Sequence, residues 1–186
     1  MTGMQKAFER GTMNRFRLRF PERDVDKWYA RYSYELNPTI EEQIVPRVRN
    51  AGCLTKPDFQ TICKWKTPRS QSRCALNTPE FIESVSKVAL STSNEKLRVE
   101  IWTLLNGLDW PTASTLLHWL HEEEYPILDF RALWSLGYAK PPKYNFSFWS
   151  DYVDFCRGLA RKSGVTVRAL DRALWQYSSE KQKTRS

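Results

Sequence analysis

Thr92 to Gly137 reads TSNEKLRVEIWTLLNGLDWPTASTLLHWLHEEEYPILDFRALWSLG, and three helix starts with two helix stops are written into it. Thr92 with Glu95 has the spacing of a capping box and opens a helix that turns Leu97, Ile101, Leu104 and Leu105 inward. Asn106-Gly107 ends that helix as a left-handed cap. Asp109 then caps a second helix, with Pro111 in its first turn and Leu116, Leu117 and Leu120 on its buried side. Two helices joined by about four residues form a tight hairpin, placed at 94–122. Asp129 caps a third, short helix over 130–136, which Gly137 closes.

The same signals continue in both directions. Downstream, residues 138–145 form a basic loop around Pro141-Pro142. Ser147 starts a helix carrying Trp149, Tyr152, Val153, Cys156 and Leu159 that Gly164 terminates, and Thr166 caps a last helix with Val167, Leu170, Leu174 and Trp175 inward. Upstream, Asn77 with Glu80 opens a helix with Phe81, Val85 and Val88 as its buried stripe. Thr55 caps a helix through Pro57, Phe59, Ile62 and Cys63, after which Lys64 to Arg69 leaves as a basic loop. Thr39 with Glu42 opens a segment carrying Ile40, Ile44 and Val48, which Pro46 should kink or end early. Pro21 opens a helix sharing Val25, Trp28, Tyr29 and Tyr32 on one face and stopping near Asn37-Pro38. Residues 1–19 read as a basic, partly flexible arm, and 179–186 as a polar tail. The expected fold class is all-α, with the helical domain over 20–178.

The chain has 186 residues, enough for one compact domain or two small lobes around a shared cleft. It carries 29 Lys and Arg against 21 Asp and Glu, a formal charge of +8 that favours polyanionic partners. Arg47, Arg49, Lys56, Lys64, Lys66, Arg69 and Arg73 face only Asp58 within residues 47–73, which concentrates most of the excess there. Eight Trp, eight Tyr and nine Phe fill a helical core or stack on bases. Cys53, Cys63, Cys74 and Cys156 match neither zinc-ligand pairs nor an iron-sulfur loop and read as reduced thiols. His118 and His121 share a helical face near Glu122 but lack a third metal ligand, so a solvent-exposed face is preferred and no metal is assigned. With no run of 18 apolar residues and no apolar leader, the expectation is a soluble, cytoplasmic monomer with no membrane partner.

Leu104 to Ser114 resembles the L-P-G-V-G-x-K-T-A hairpin of endonuclease III and the 8-oxoguanine glycosylases, and Pro126-Ile127-Leu128-Asp129 resembles the segment that holds their catalytic aspartate. Asp129 lies 18 residues after Pro111, the separation endonuclease III keeps between its catalytic lysine position and that aspartate. The resemblance is to the helix-hairpin-helix DNA glycosylase superfamily, and it covers about residues 100–137. It implies two helical lobes with a cleft between them, an 8-oxoguanine or alkylpurine glycosylase-like branch without an iron-sulfur cluster, and double-stranded DNA containing a damaged or modified base as partner. No cofactor is implied, apart from an alkali-metal ion at the hairpin as a candidate.

The residues carry a chemistry of their own beside that likeness. A glycine turn leading into a helix N-terminus brings backbone N–H groups close to a phosphate, which makes Gly107, Leu108, Asp109 and Thr112 candidate DNA contacts. Asp109 stands where the pattern has its second glycine, and the hairpin keeps its clamp if that carboxylate turns inward to cap Thr112. Pro111 stands where bifunctional enzymes carry their lysine and supplies no amine, which points to a monofunctional enzyme. Cleaving a glycosidic bond builds positive charge on the sugar, and Asp129 is the carboxylate that would stabilise it, besides serving as a helix cap. Lys64, Lys66 and Arg69 are the leading phosphate contacts, Arg131 a further one or an acid's partner, and Trp110 the candidate base-pocket residue. Two alternatives stand beside the enzyme: a DNA-binding module that has lost its chemistry, and a helical adaptor for an acidic protein.

Overall fold

The computed structural model describes residues 15–34 and 37–182, so all of the N-terminal arm before Arg15 and the last four residues of the tail lie outside the described residues. Among the described residues every regular element is helical. In chain order the α-helices are α1 (Val25–Tyr29), α2 (Val45–Ala51), α3 (Lys56–Lys66), α4 (Gln71–Cys74), α5 (Pro79–Ser91), α6 (Glu95–Glu100), α7 (Trp110–Leu120), α8 (Phe130–Ser135), α9 (Phe146–Ser163) and α10 (Val167–Lys181). The chain divides into two compact units, one made of residues 1–34 with 126–186 and the other of 35–125.

In the first unit, α10 packs against α1, α8 and α9. Thr166 caps α10 by accepting from the Ala169 amide at 3.1 Å, as its sequence announces. Helix α9 starts earlier than expected, because Asn145, not Ser147, accepts from the Phe148 amide at 2.9 Å. The expected arm does not survive beyond Arg15. Phe16 is only 2% exposed and sits among Phe148, Tyr152 and Phe155 at centroid distances of 5.3–5.9 Å. The Arg17 and Arg19 amides donate to Leu136 O and Ser135 O at 3.0 and 2.9 Å, and the Arg19 side chain donates to Trp134 O and Gly137 O. Leu136 O and Ser135 O lie at the end of α8, where carbonyls run out of helical donors, so the strap satisfies that end of the helix.

The helix expected from Pro21 to Asn37 is also shorter. A 3-10 turn at Glu22–Asp24 leads into α1, which ends at Tyr29. Val25 and Trp28 are buried as expected, whereas Tyr32 leaves the helix and packs edge-on against Trp175 at 5.7 Å. The Ser33 amide donates to Gln176 at 3.0 Å, and these tertiary bonds outweigh the helical periodicity.

The second unit is built around α7, in which every residue from Thr112 to Leu120 is buried. It packs against α2, α3 and α6. Pro46 leaves its mark just upstream of where a kink was expected. Thr39–Ile44 is a π-helical turn in which the Val45 amide reaches back five residues to Ile40 O, and Pro46 then occupies the first turn of α2. The N-cap position of this turn is Pro38 and not Thr39.

Two capping boxes read from the sequence belong to neighbouring residues, and each error rotates a helix face. Asn77 is spent elsewhere, so Thr78 caps α5 by accepting from the Phe81 amide at 3.2 Å. Ile82, Val85 and Ala89 are buried, while Phe81 and Val88 are 41% and 38% exposed. Glu95 pairs with Arg98 and accepts from the Tyr125 hydroxyl at 2.9 Å, so it does not return to Thr92, and Asn94 caps α6 instead. Leu105 is buried as expected, but Val99 and Trp102 are its buried companions, while Leu97 and Leu104 of the expected stripe are exposed. Each fully buried Trp or Leu of this kind contributes about 1.5–3 kcal/mol relative to an exposed one.

Candidate functional site

The hairpin of the second unit runs from the 3-10 turn Ile101–Leu104 through Gly107 to α7. Gly107 has φ of +87°, a conformation side chains disfavour. A Cβ there would stand 2.8 Å from Cys74 Sγ, 3.0 Å from the Cys74 amide nitrogen and 3.2 Å from Arg73 Cβ. The glycine therefore lets the hairpin seat on the Arg73-Cys74 backbone, which brings an exposed arginine beside the turn. Asn77, 1% exposed, fixes the turn by accepting from the Asn106 amide at 2.8 Å and donating to Asn106 O at 3.0 Å and Cys74 O at 2.9 Å.

Asp109 occupies the N-cap position of α7, but its side chain makes no cap hydrogen bond and is exposed. The inward turn toward Thr112 is thus not taken. Thr112 is 2% exposed, so its hydroxyl is closed to an external phosphate, while Leu108 and Trp110 are half-buried.

Lys64, Trp65 and Lys66 form the last turn of α3 and not the expected loop, and Arg69 lies in the 3-10 turn Pro68–Ser70. Trp65 packs edge-on against Trp119 at 5.6 Å, a core role that holds Lys64 outward. Lys64 and Arg69 are exposed and Lys66 is half-buried. Arg47 is paired with Asp58 at 2.6 Å, which balances one of the local charges, and Lys56 donates to Ala75 O at 2.9 Å.

His118 is not on a solvent face. It is 9% exposed and its Nδ1 lies 2.7 Å from Tyr125 O. Burial, then the Arg98 guanidinium, hold the His121 imidazole below its ordinary pKa. The four cysteines are free thiols, and burial pushes the Cys63 and Cys74 thiols up, so these two are poor nucleophiles.

In the first unit, Asp129 is the N-cap of α8, and its Oδ1 accepts from the Arg131 amide at 2.8 Å. Its side chain is half-buried. The Arg131 guanidinium lies 5.3 Å from the centroids of both Phe130 and Trp175. Tyr32 and Tyr34 stack edge-on against that same Trp175, and Arg172 lies 5.5 Å over the Tyr32 ring. Burial, then Asp171, with Asp129 as a smaller influence, keeps the Tyr32 hydroxyl protonated. Phe130 and Tyr34 are 52% and 38% exposed, an aromatic surface next to a carboxylate and two guanidiniums. The sequence reading missed Trp175, which meets the Arg131 guanidinium, and Tyr32 and Tyr34, which pack on Trp175, since nothing local links positions so far apart in the chain.

Ile127, two residues before Asp129, is pinned on both sides: its amide donates to Asp171 Oδ1 at 2.9 Å and its carbonyl accepts from the Tyr152 hydroxyl at 2.9 Å. Asp171 was also missed, and its signal was available, because it sits on the apolar stripe of Val167, Leu170 and Leu174. No family model, curated protein or solved structure matches the chain. Among the described residues no helix is long and apolar enough to cross a membrane.

Proposed function

We propose that the chain is a monofunctional DNA glycosylase that flips a damaged or modified base out of the duplex and hydrolyses its N-glycosidic bond. The observation that carries the reading is Asp129. Its carboxylate is oriented by the Arg131 amide, remains partly open, and stands beside the contacts that link Arg131, Trp175, Tyr32 and Tyr34. A fixed carboxylate at that position stabilises the cationic sugar of the transition state, and exposed aromatic rings nearby offer stacking faces to an extruded base. This reading moves the base-stacking role from Trp110 to the aromatic surface of Tyr34, Phe130 and Trp175. The test is a crystal structure with duplex DNA carrying an abasic-site analogue. The reading requires the flipped sugar to lie against Asp129, and a duplex bound with that carboxylate facing solvent contradicts it.

Phosphates are assigned to the hairpin backbone at Gly107 and Leu108, to Arg73, and to Lys64, Lys66 and Arg69. Replacing Lys64, Lys66 and Arg69 by alanine should weaken duplex binding on every sequence and lower the slope of log affinity against log salt by close to one per lost contact. Unchanged affinity and slope would remove these residues from the interface. Because Pro111 has no amine, borohydride should trap no covalent adduct and no strand break should precede alkali. A trapped adduct would implicate another lysine, with Lys140 and Lys143 the first to mutate.

A second reading, a DNA-binding module without chemistry, is favoured by one observation: Asp109 is exposed at the helix start and uncapping, a negative charge where a phosphate would approach. Base release by the wild-type protein separates the two.

A further inference from the structure

We propose that Asp171 is a positioning residue for base release, anchoring Ile127 so that the Asp129 carboxylate is held at a fixed place and angle; this rests on the glycosylase reading. Asp171 lies on α10 and is 9% exposed, and a carboxylate on the buried side of a helix carries a desolvation cost that a leucine there would not. Its Oδ1 is used on the Ile127 amide, a group that no helix partners, since Pro126 to Leu128 lies between elements. Tyr152, fully buried on α9, takes the carbonyl of the same residue. Both backbone groups of Ile127 are therefore fixed by side chains from two different helices, and Leu128 alone separates this anchor from Asp129.

The downstream side of Asp129 is fixed as well. Its Oδ1 accepts from the Arg131 amide, and its own carbonyl accepts from the Leu133 amide at 2.9 Å. The carboxylate thus sits between a helix start and a doubly bonded residue, with little backbone freedom left. Stabilising developing charge depends on such preorganisation, and a displacement of about 1 Å can cost on the order of a hundredfold in rate. The anchor acts through a hydrogen bond to a backbone amide, so any side chain with a correctly placed oxygen should serve. Asparagine keeps that oxygen and discards the charge; alanine discards both.

The experiment compares Asp171→Asn, Asp171→Ala and Tyr152→Phe with the wild type by single-turnover base release, duplex affinity and amide hydrogen exchange. Asp171→Ala should slow release on the order of ten- to a hundredfold at unchanged duplex affinity, Tyr152→Phe several-fold, and Asp171→Asn should recover to within about threefold of wild type. The Ile127 amide should exchange at least about tenfold faster in Asp171→Ala and stay protected in Asp171→Asn. If Asp171→Ala does not fold, Tyr152→Phe, which removes one hydroxyl, decides by the same rate measurement, and a wild-type rate there overturns the proposal. Asp171→Asn as slow as Asp171→Ala would show that charge and not the bond matters, and would overturn it. Unaltered Ile127 exchange in Asp171→Ala overturns the anchor whether or not base release is found. Absence of release by the wild type, with the anchor intact by exchange, overturns the glycosylase reading and with it the positioning role in catalysis.

Discussion

Asp129→Asn should lower the rate of base release by a factor on the order of a hundred or more, the few kcal/mol that a preorganised charge supplies to a transition state. The substitution is chosen because it separates the proposed catalytic role of the residue from its helix cap. Asparagine caps helices as well as aspartate does, and its oxygen can still accept from the Arg131 amide, which lies 2.8 Å from Oδ1 in the native protein. The thermal midpoint should therefore stay close to that of the wild type. Duplex affinity should hold or rise, since one negative charge near phosphate is gone. Loss of folding with no rate defect on a confirmed substrate would reduce Asp129 to a helix cap.

The second large effect belongs to the hairpin. Gly107→Ala meets two penalties, a side chain at φ of +87° and a Cβ 2.8 Å from Cys74 Sγ and 3.0 Å from backbone. The first costs about 1–2 kcal/mol and the second a further 1–3 kcal/mol of overpacking. For a chain of this size, that total corresponds to a fall in Tm of roughly 5–15 °C. Gly52→Ala is the internal control: Gly52 has φ of +68° with nothing within 4 Å of the added Cβ, so only the conformational part applies. Equal shifts for the two variants would show that the seat on Cys74 contributes nothing. With Gly107→Ala folded at low temperature, duplex binding should weaken as the hairpin moves off Asn77 and Arg73.

The helical class and several helix starts were legible because their signals are local. Thr55, Asp129 and Thr166 cap as read, and Gly107 and Gly164 take the positive φ their positions demand. What failed was decided by distant partners. Asn77 is spent on the Asn106 turn and Glu95 on Arg98 and Tyr125, so the N-caps read at Asn77 and Thr92 fall at Thr78 and Asn94, and the one-residue shift in α5 turns that helix by about 100°, exchanging Phe81 for Ile82 in the core. The strap from Arg15 looked mobile by charge alone, yet burial of Phe16 and the bonds of its amides to Ser135 O and Leu136 O hold it down.

The candidate site divides along the same line. Asp129 was readable from a cap signal and a spacing. The aromatic cluster beside Arg131 was not, because Tyr32, Tyr34 and Trp175 converge only once α1 packs on α10. Asp171 lay between these cases, a charge on an apolar stripe whose burial needed a reason that only the Ile127 amide provides.

The central claim, that Asp129 serves base release from DNA, is tested most directly by one assay. Wild-type protein and Asp129→Asn are incubated with duplexes that each carry one oxidised, alkylated or otherwise modified base, and the strands are resolved before and after alkali. The account predicts a wild-type strand break at one class of modified base that needs alkali to show itself, and its near loss in Asp129→Asn. Duplex binding by the wild type with no alkali-dependent break at any modified base would contradict it.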